Sequence, residues 1–170
     1  GRLIPDNNSD LIIEGFIQSK SSRKLVIVGD VPYQDAFATK IKSIQDERLV
    51  FTGYVTDQSD LAELYHNAYG YFHGHEFGGT NPTMLKALAY GSAILALNTP
   101  FNREMLQDGD FGKLFDKKAP EVTRIIALVE ADPNNMIELR EQSRQGLTKK
   151  YSWDYVTDQY VDVFKSLKKS

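Results

Sequence analysis

Cysteine is absent from the 170 residues, which excludes disulfides and thiolate metal sites and fits a reducing cytosol. No apolar run approaches the roughly 18 residues that a membrane-spanning helix needs, and the first residues lack the basic-then-apolar order of a secretory signal. A basic surplus is also missing: twenty Lys and Arg against twenty-three Asp and Glu leave a net charge of −3. Nucleic acid is therefore not expected as a partner, since such binding depends on neutralising many phosphates. Of three histidines, His73 and His75 are close enough to suggest a metal, but no third ligand accompanies them and no metal is expected. Serines near histidines lack a base and an orienting acid in any hydrolase motif. A nicotinamide-binding unit would want a glycine fingerprint after its first strand, which VGDVPY does not supply. No internal repeat, low-complexity segment or linker interrupts the chain, so residues 1–170 read as a single domain.

What the chain does have is alternation. Short β-branched or aromatic runs at 24–30, 48–53, 69–74, 93–98 and 112–115 are separated by helical patterns, the sequence sign of βαβ units. Several runs are apolar at consecutive positions, as when helices cover both sheet faces. The expected fold is α/β, a Rossmann-like doubly wound parallel sheet of about five to six strands with helices on both faces and C-terminal helices. Ser9 can cap a helix carrying Leu11, Ile12, Phe16 and Ile17, and Asp57 or Ser59 one carrying Leu61, Leu64 and Tyr65. Beyond residue 118 three helices are expected, over 120–132, 133–148 and 152–167, with Pro133 dividing the first two and Gly146 weakening the second near its end. Ser152, Trp153 and Asp154 read as a cap with an anchoring aromatic. The chain opens on the polar loop GRLIPDNN with no strand before it, whereas a doubly wound sheet places such a loop after its first strand. It reads as cut from something longer.

The stretch HGHEFGGTNPTMLKALAYG, residues 73–91, joins a strand end, a glycine pair and a helix start. Thr80 or Asn81 is a natural N-cap, and Pro82 suits the first helical position, where its missing N–H costs nothing. Such a junction can receive a phosphate on free N–H groups at the positive end of the helix dipole. On geometry alone it reads equally well as a tight turn. DGD at 108–110 reads as a turn without chemistry, and His66 as a surface residue.

The order of the pieces resolves that tie. GR with its asparagine pair, KLVIVGD, VFTGYVTDQSDLAELYHNA, GGTNPTMLKALAYGSAILALNT, NREMLQDGDFGKLF and YSWDYVTDQYVDVFKSL together resemble the C-terminal, donor-binding half of GT-B glycosyltransferases of family 4. The resemblance covers nearly the whole chain, and the GGTNP turn looks most like the bacterial rhamnosyltransferase subgroup. It implies that Arg2 grips a donor diphosphate with its guanidinium fork, with Asn7 and Asn8 where a lysine is usual. Gly78, Gly79, Thr80 and Asn81 would meet the same diphosphate, and Tyr54 and Val55 the pyrimidine base. The family's two glutamates, eight residues apart, fall on Gly78 and Lys86. An ammonium has donors only and cannot accept ribose hydroxyls, so Lys86 should alter the nucleoside contact; as a bare helix residue it would simply face solvent. Glu76 could supply the lost acid, and His75 a hydrogen bond to the sugar or the diphosphate; His75 and Glu76 are the candidate catalytic residues.

The resemblance thus implies the donor half of a retaining, metal-independent hexosyltransferase of surface polysaccharide synthesis. It would need no cofactor and would use a nucleotide-diphosphate sugar as substrate, dTDP-rhamnose being the best single guess and a UDP-sugar the next. A preceding half would bind a glycan or lipid-linked acceptor, and this half alone should bind donor weakly and transfer nothing. The expected location is the cytoplasm, where the lysines of KSLKKS could touch the inner face of the membrane, a solvated helix turn being the plainer reading. A non-catalytic nucleotide-sugar-binding domain and a sugar-nucleotide epimerase of the same fold are the alternatives.

Overall fold

The computed structural model describes residues 1–167; Lys168 and Lys169 of the basic tail lie outside them. A 3-10 turn, Pro5–Asn7, leads into α1 (Ser9–Gln18), and β1 (Leu25–Val28), α2 (Ala36–Lys42), β2 (Leu49–Gly53), α3 (Gln58–Asn67) and β3 (Tyr71–His73) follow. Then come α4 (Pro82–Ala89), β4 (Ile94–Leu97), α5 (Pro100–Met105), a 3-10 turn at Gln107–Gly109, β5 (Lys113–Phe115), α6 (Ala119–Ala131), α7 (Pro133–Tyr151) and α8 (Trp153–Leu167). The five expected strands are present and all pair in parallel, but in two sheets: β1 with β2, and β3, β4 and β5 in that order.

β4 shows why this is an α/β fold. All four of its residues are buried, and their alternation sends Leu95 and Leu97 to one face and Ile94 and Ala96 to the other. On the first face α1, α6 and α7 supply Ile12, Phe16, Val122, Ile125, Val129 and Met136; on the second, α4 and α5 supply Met84, Leu88 and Met105. Helices thus cover both faces of the three-stranded sheet, as the continuous apolar run implied.

Several local expectations change. Asn8, left-handed at φ 50°, sits before α1, and Ser9 is the helix's first residue, not its cap. Asp57 does cap α3, accepting from the Ser59 and Asp60 amides. Two short helices escaped the sequence reading, α2 capped by Asp35 and α5 capped by Thr99. α7 runs past Gly146 to Tyr151, three residues beyond the expected end. A Cβ on Gly146 would stand 2.8 Å from Cγ of Phe111, so the glycine lets the helix lie against that ring. Trp153 is not anchored: it is 86% exposed, and Tyr160, Phe164 and Leu167 are exposed beside it on α8, whose apolar stripe has no partner among the described residues.

Residues 1–8 run across the carboxyl ends of β1 and β3. The Gly1 nitrogen donates to the Val28 carbonyl at 2.5 Å, and the buried Asn8 side chain donates to the Gly74 carbonyl at 2.9 Å. The crossing is so close that a Cβ on Gly74 would run into the Asn7 carbonyl. Gly74→Ala is expected to lift this segment and destabilise the domain by roughly 1–3 kcal/mol, read from the midpoint of urea unfolding.

His73, at the end of β3, is 3% exposed, and burial pushes its imidazole down to about 3. The folded state therefore refuses a proton that the unfolded chain takes up below the ordinary histidine value near 6.5. More protons on the unfolded side mean that stability falls as pH falls, by about 1.4 kcal/mol per pH unit. Between pH 6 and pH 4.5 the unfolding free energy should drop along this slope, and His73→Gln, which cannot titrate, should flatten it. Urea unfolding across that range measures both.

Candidate functional site

The carboxyl ends of parallel strands are where an α/β sheet builds its ligand crevice. Here a cleft of about 1170 Å³ runs between β1 and β3, and Arg2, Asn7, Tyr54, Val55, Thr83 and His75 are among the residues that line it. The helix start after β3 forms as the residue types dictate. Asn81 caps α4, its Oδ1 accepting from the Thr83 amide at 2.9 Å, and Pro82 holds the first turn. Gly78 takes φ 117°, which a side chain would resist.

Arg2, Asn7, His75 and Gly78 form a connected chain. Asn7 Nδ2 donates to the Arg2 carbonyl at 2.7 Å, and Asn7 Oδ1 lies 2.7 Å from His75 Nδ1. An amide oxygen only accepts, so Nδ1 of His75 carries the proton and Nε2 is left with its lone pair in the neutral ring. That Nε2 lies 3.6 Å from where a Cβ of Gly78 would stand. With Nδ1 on Asn7, Nε2 is the ring nitrogen of His75 left to meet a ligand hydroxyl or phosphate. The Arg2 side chain is exposed and forms no ion pair among the described residues.

The amides of Gly78, Gly79 and Thr80 donate to no backbone or side-chain acceptor among the described residues, and the stretch is exposed. The Asn81 amide is turned inward, 3.2 Å from Sδ of Met105. Free N–H groups therefore crowd the entrance to α4 beside the His75 ring, the arrangement that attracts an anion.

Other candidates fall elsewhere. Asn8 is buried, its amide engaged by Gly74 and Glu76, so it serves the fold while Asn7 faces the cleft. Glu76 is held by Lys117 at 2.5 Å, and that ammonium keeps its carboxyl below the usual glutamate range. It is a carboxylate fixed in an ion pair. Lys86 is exposed and reaches Gln58 Oε1 at 3.4 Å, which sets it toward the start of α3, just after the loop bearing Tyr54 and Val55. Tyr54 is 55% exposed at that loop. His66 is exposed near the Tyr90 carbonyl, and Asp108 pairs with Arg103 in its turn. No cluster of three metal-ligating side chains occurs among the described residues.

Two residues that sequence reasoning passed over hold the turn in place. Asn102, 3% exposed, donates from Nδ2 to the carbonyls of His75 at 3.0 Å and Leu97 at 2.9 Å, tying the loop to the end of β4. Lys117, after β5, anchors Glu76. Neither carries a local signal for the site, because the loop residue that each holds, His75 or Glu76, lies 27 or more residues away.

With this geometry, the glycosyl transferases group 1 family matches residues 1–146. Among curated proteins, the alpha-monoglucosyldiacylglycerol synthase of Streptococcus pneumoniae is 26% identical over 119 residues, 67% of this chain and 26% of that protein. HepE of Anabaena in complex with UDP superposes with a TM-score of 0.83 at 17% identity, over 98% of this chain and 47% of that one. The C-terminal domain of the group 1 glycosyl transferase LpcC of Francisella tularensis gives 0.75 at 18% identity, over 90% of this chain and 84% of that one. The chain thus spans about half the length of HepE and about a quarter of the synthase, and these structural likenesses speak for the fold. The family match runs from the bridging loop through β5 and α6 into α7, and on that extent the chain belongs to the glycosyl transferases group 1 family.

Proposed function

We propose that this domain binds the donor of a glycosyl transfer, a pyrimidine nucleoside diphosphate sugar, with the diphosphate between Arg2 and the amides of Gly78, Gly79 and Thr80. The observation that carries the reading is the set of unengaged N–H groups at the start of α4, next to the Arg2–Asn7–His75 chain. Negative charge that develops on the leaving diphosphate would meet fixed donors there, which is the form of stabilisation that lowers such a barrier most. His75 Nε2 would accept a hydroxyl of the donor sugar, and the base would lie on Tyr54 and Val55. HepE's complexes with UDP and with UDP-glucose support a uridine donor; the GGTNP turn supports dTDP-rhamnose as the alternative sugar nucleotide.

The reaction is proposed to retain anomeric configuration, by a same-face displacement assisted by the leaving phosphate, without metal. The acceptor is proposed to be a glycan or a lipid-linked sugar, bound by a second half across the cleft, in surface polysaccharide assembly on the cytoplasmic side. The likeness to a synthase named for a glucosylated diacylglycerol supports a lipid-linked acceptor. No described helix is long and apolar enough to cross a membrane; any contact of this domain with the bilayer is proposed to be peripheral.

Calorimetric titration with UDP, dTDP and GDP tests the donor site directly. The two pyrimidine nucleotides should bind at least tenfold more tightly than inorganic phosphate, and Arg2→Ala should weaken them about ten- to a hundredfold, the worth of a charge-assisted contact. Binding no better than phosphate by the folded domain would remove the proposal. Lys86→Glu restores a carboxylate that can accept two ribose hydroxyls. It should tighten UDP by about threefold to tenfold, about one net hydrogen bond, while leaving inorganic phosphate unchanged.

A further inference from the structure

The glycine stretch after β3 is fastened at its two ends. Before it, the Glu76 amide donates to the Asp6 carbonyl at 3.0 Å, and the His75 carbonyl accepts from Asn102 Nδ2 at 3.0 Å. After it, the Asn81 amide donates to Met105 Sδ at 3.2 Å. Between these points residues 77–80 are exposed. Among the described residues a Cβ on Gly79 would meet nothing within 4 Å, and one on Gly78 would meet only His75 Nε2. Packing therefore does not set the course of the glycines; the two ends do. One short helix supplies a contact to each end. Asn102 and Met105 stand three residues apart on α5, 3% and 2% exposed, while Phe101, Arg103 and Glu104 face solvent. The amides at the helix entrance are meanwhile accounted for: Met105 takes that of Asn81, Pro82 has none, and Asn81 Oδ1 takes that of Thr83. What is left for an anion is the run Gly78, Gly79 and Thr80, ahead of the helix.

We infer that Met105 is a positioning residue of the donor site: with Asn102 it makes α5 a two-point frame, and its thioether, by accepting the Asn81 amide, fixes the far end of the glycine stretch. The inference rests on the donor reading for what the stretch binds, while how the stretch is held stands on the contacts alone. Met105 acts through Asn81, from the inner side of the loop, and needs no contact with a ligand. The place calls for sulfur. A leucine would fill nearly the same volume in the cluster with Met84, Ala87 and Leu88, but it offers no acceptor, whereas a thioether is a weak one. The half-buried Asn81 amide would then stay unpaired or turn outward to find water. In either case Thr80 would no longer enter α4 at a set angle. The exposed residues 77–80, tied at one end only, would sample more conformations, and ordering them would fall on the binding step and weaken it.

The test compares the protein with Met105→Leu and with a Met136→Leu control, equally buried but in the core on the other sheet face. Amide exchange at Asn81 is followed by NMR without ligand, and UDP is titrated calorimetrically. In Met105→Leu the Asn81 amide should exchange about tenfold faster, and UDP should bind about threefold to tenfold more weakly, the worth of one net hydrogen bond. Met136→Leu should change neither. Selenomethionine in place of methionine keeps the fold and the acceptor, so UDP affinity should hold while the Asn81 amide proton resonance shifts and those of Gly78, Gly79 and Thr80 stay in place. An Asn81 resonance indifferent to selenium, or an Asn81 exchange rate unchanged in Met105→Leu, would overturn the frame. Faster exchange with UDP affinity unchanged would overturn the positioning role. A wild-type protein that binds UDP no better than inorganic phosphate would remove the donor reading instead, and the selenium shift and the exchange rate would still decide whether Met105 holds the loop.

Discussion

The crossing of residues 1–8 over the ends of β1 and β3 is the contact on which the rest of the molecule depends. Asn8 is central to it. A left-handed asparagine, buried to 3% exposure, uses its side-chain nitrogen on the Gly74 carbonyl and leaves its neighbour Asn7 at the cleft. The same stretch thus closes the top of the fold and delivers Arg2, Asn7 and His75 to one place. A glycine at 74 is the steric condition for this approach, since any side chain there would meet the Asn7 backbone.

The site inherits its order from that contact. Asn7 sets the protonated nitrogen of His75, Asn102 holds the His75 carbonyl, and Lys117 holds Glu76. The loop between β3 and α4 is thereby fastened up to residue 76, while Gly78, Gly79 and Thr80 beyond it keep their amides free. Fastening before the glycines and freedom at them is what a preorganised anion cradle needs: the donors are aimed without being used. The ion pair at Glu76 bears on chemistry as well. A carboxylate held in its charged form by Lys117 is a poor proton donor and remains a hydrogen-bond acceptor.

Legibility followed range along the chain. The five strands were readable because each is a compact apolar or β-branched run, and Asp57, Asn81 and Pro82 were readable because capping is decided within three or four residues. The short helices α2 and α5 were missed because six or seven residues carry too few apolar positions to show a period. The packing part of Gly146 was not legible for a different reason: it admits Phe111, a residue 35 positions earlier, and no local pattern announces that. Asn102 and Lys117 belong to the same class. For the candidate site, motif order points to the glycine turn and Arg2, whereas only the structure separates Asn7, at the cleft, from the buried Asn8.

The position of the cleft ties fold to site. In a doubly wound sheet the crevice forms where the chain reverses direction between halves, and the two halves here are β1–β2 and β3–β4–β5. Tyr54 and Val55 arrive from the first half, His75 and the α4 amides from the second, and Arg2 from the segment that crosses between them. A diphosphate seated at the crossing would therefore bind both halves at once. Its affinity and the rigidity of the sheet junction would then be coupled through the same few contacts, the Gly1 nitrogen on the Val28 carbonyl and the Asn8 side chain on the Gly74 carbonyl. What orders the junction also orders the cleft wall, because Gly1 and Asn8, which hold the two sheets together, are the chain neighbours of Arg2 and Asn7.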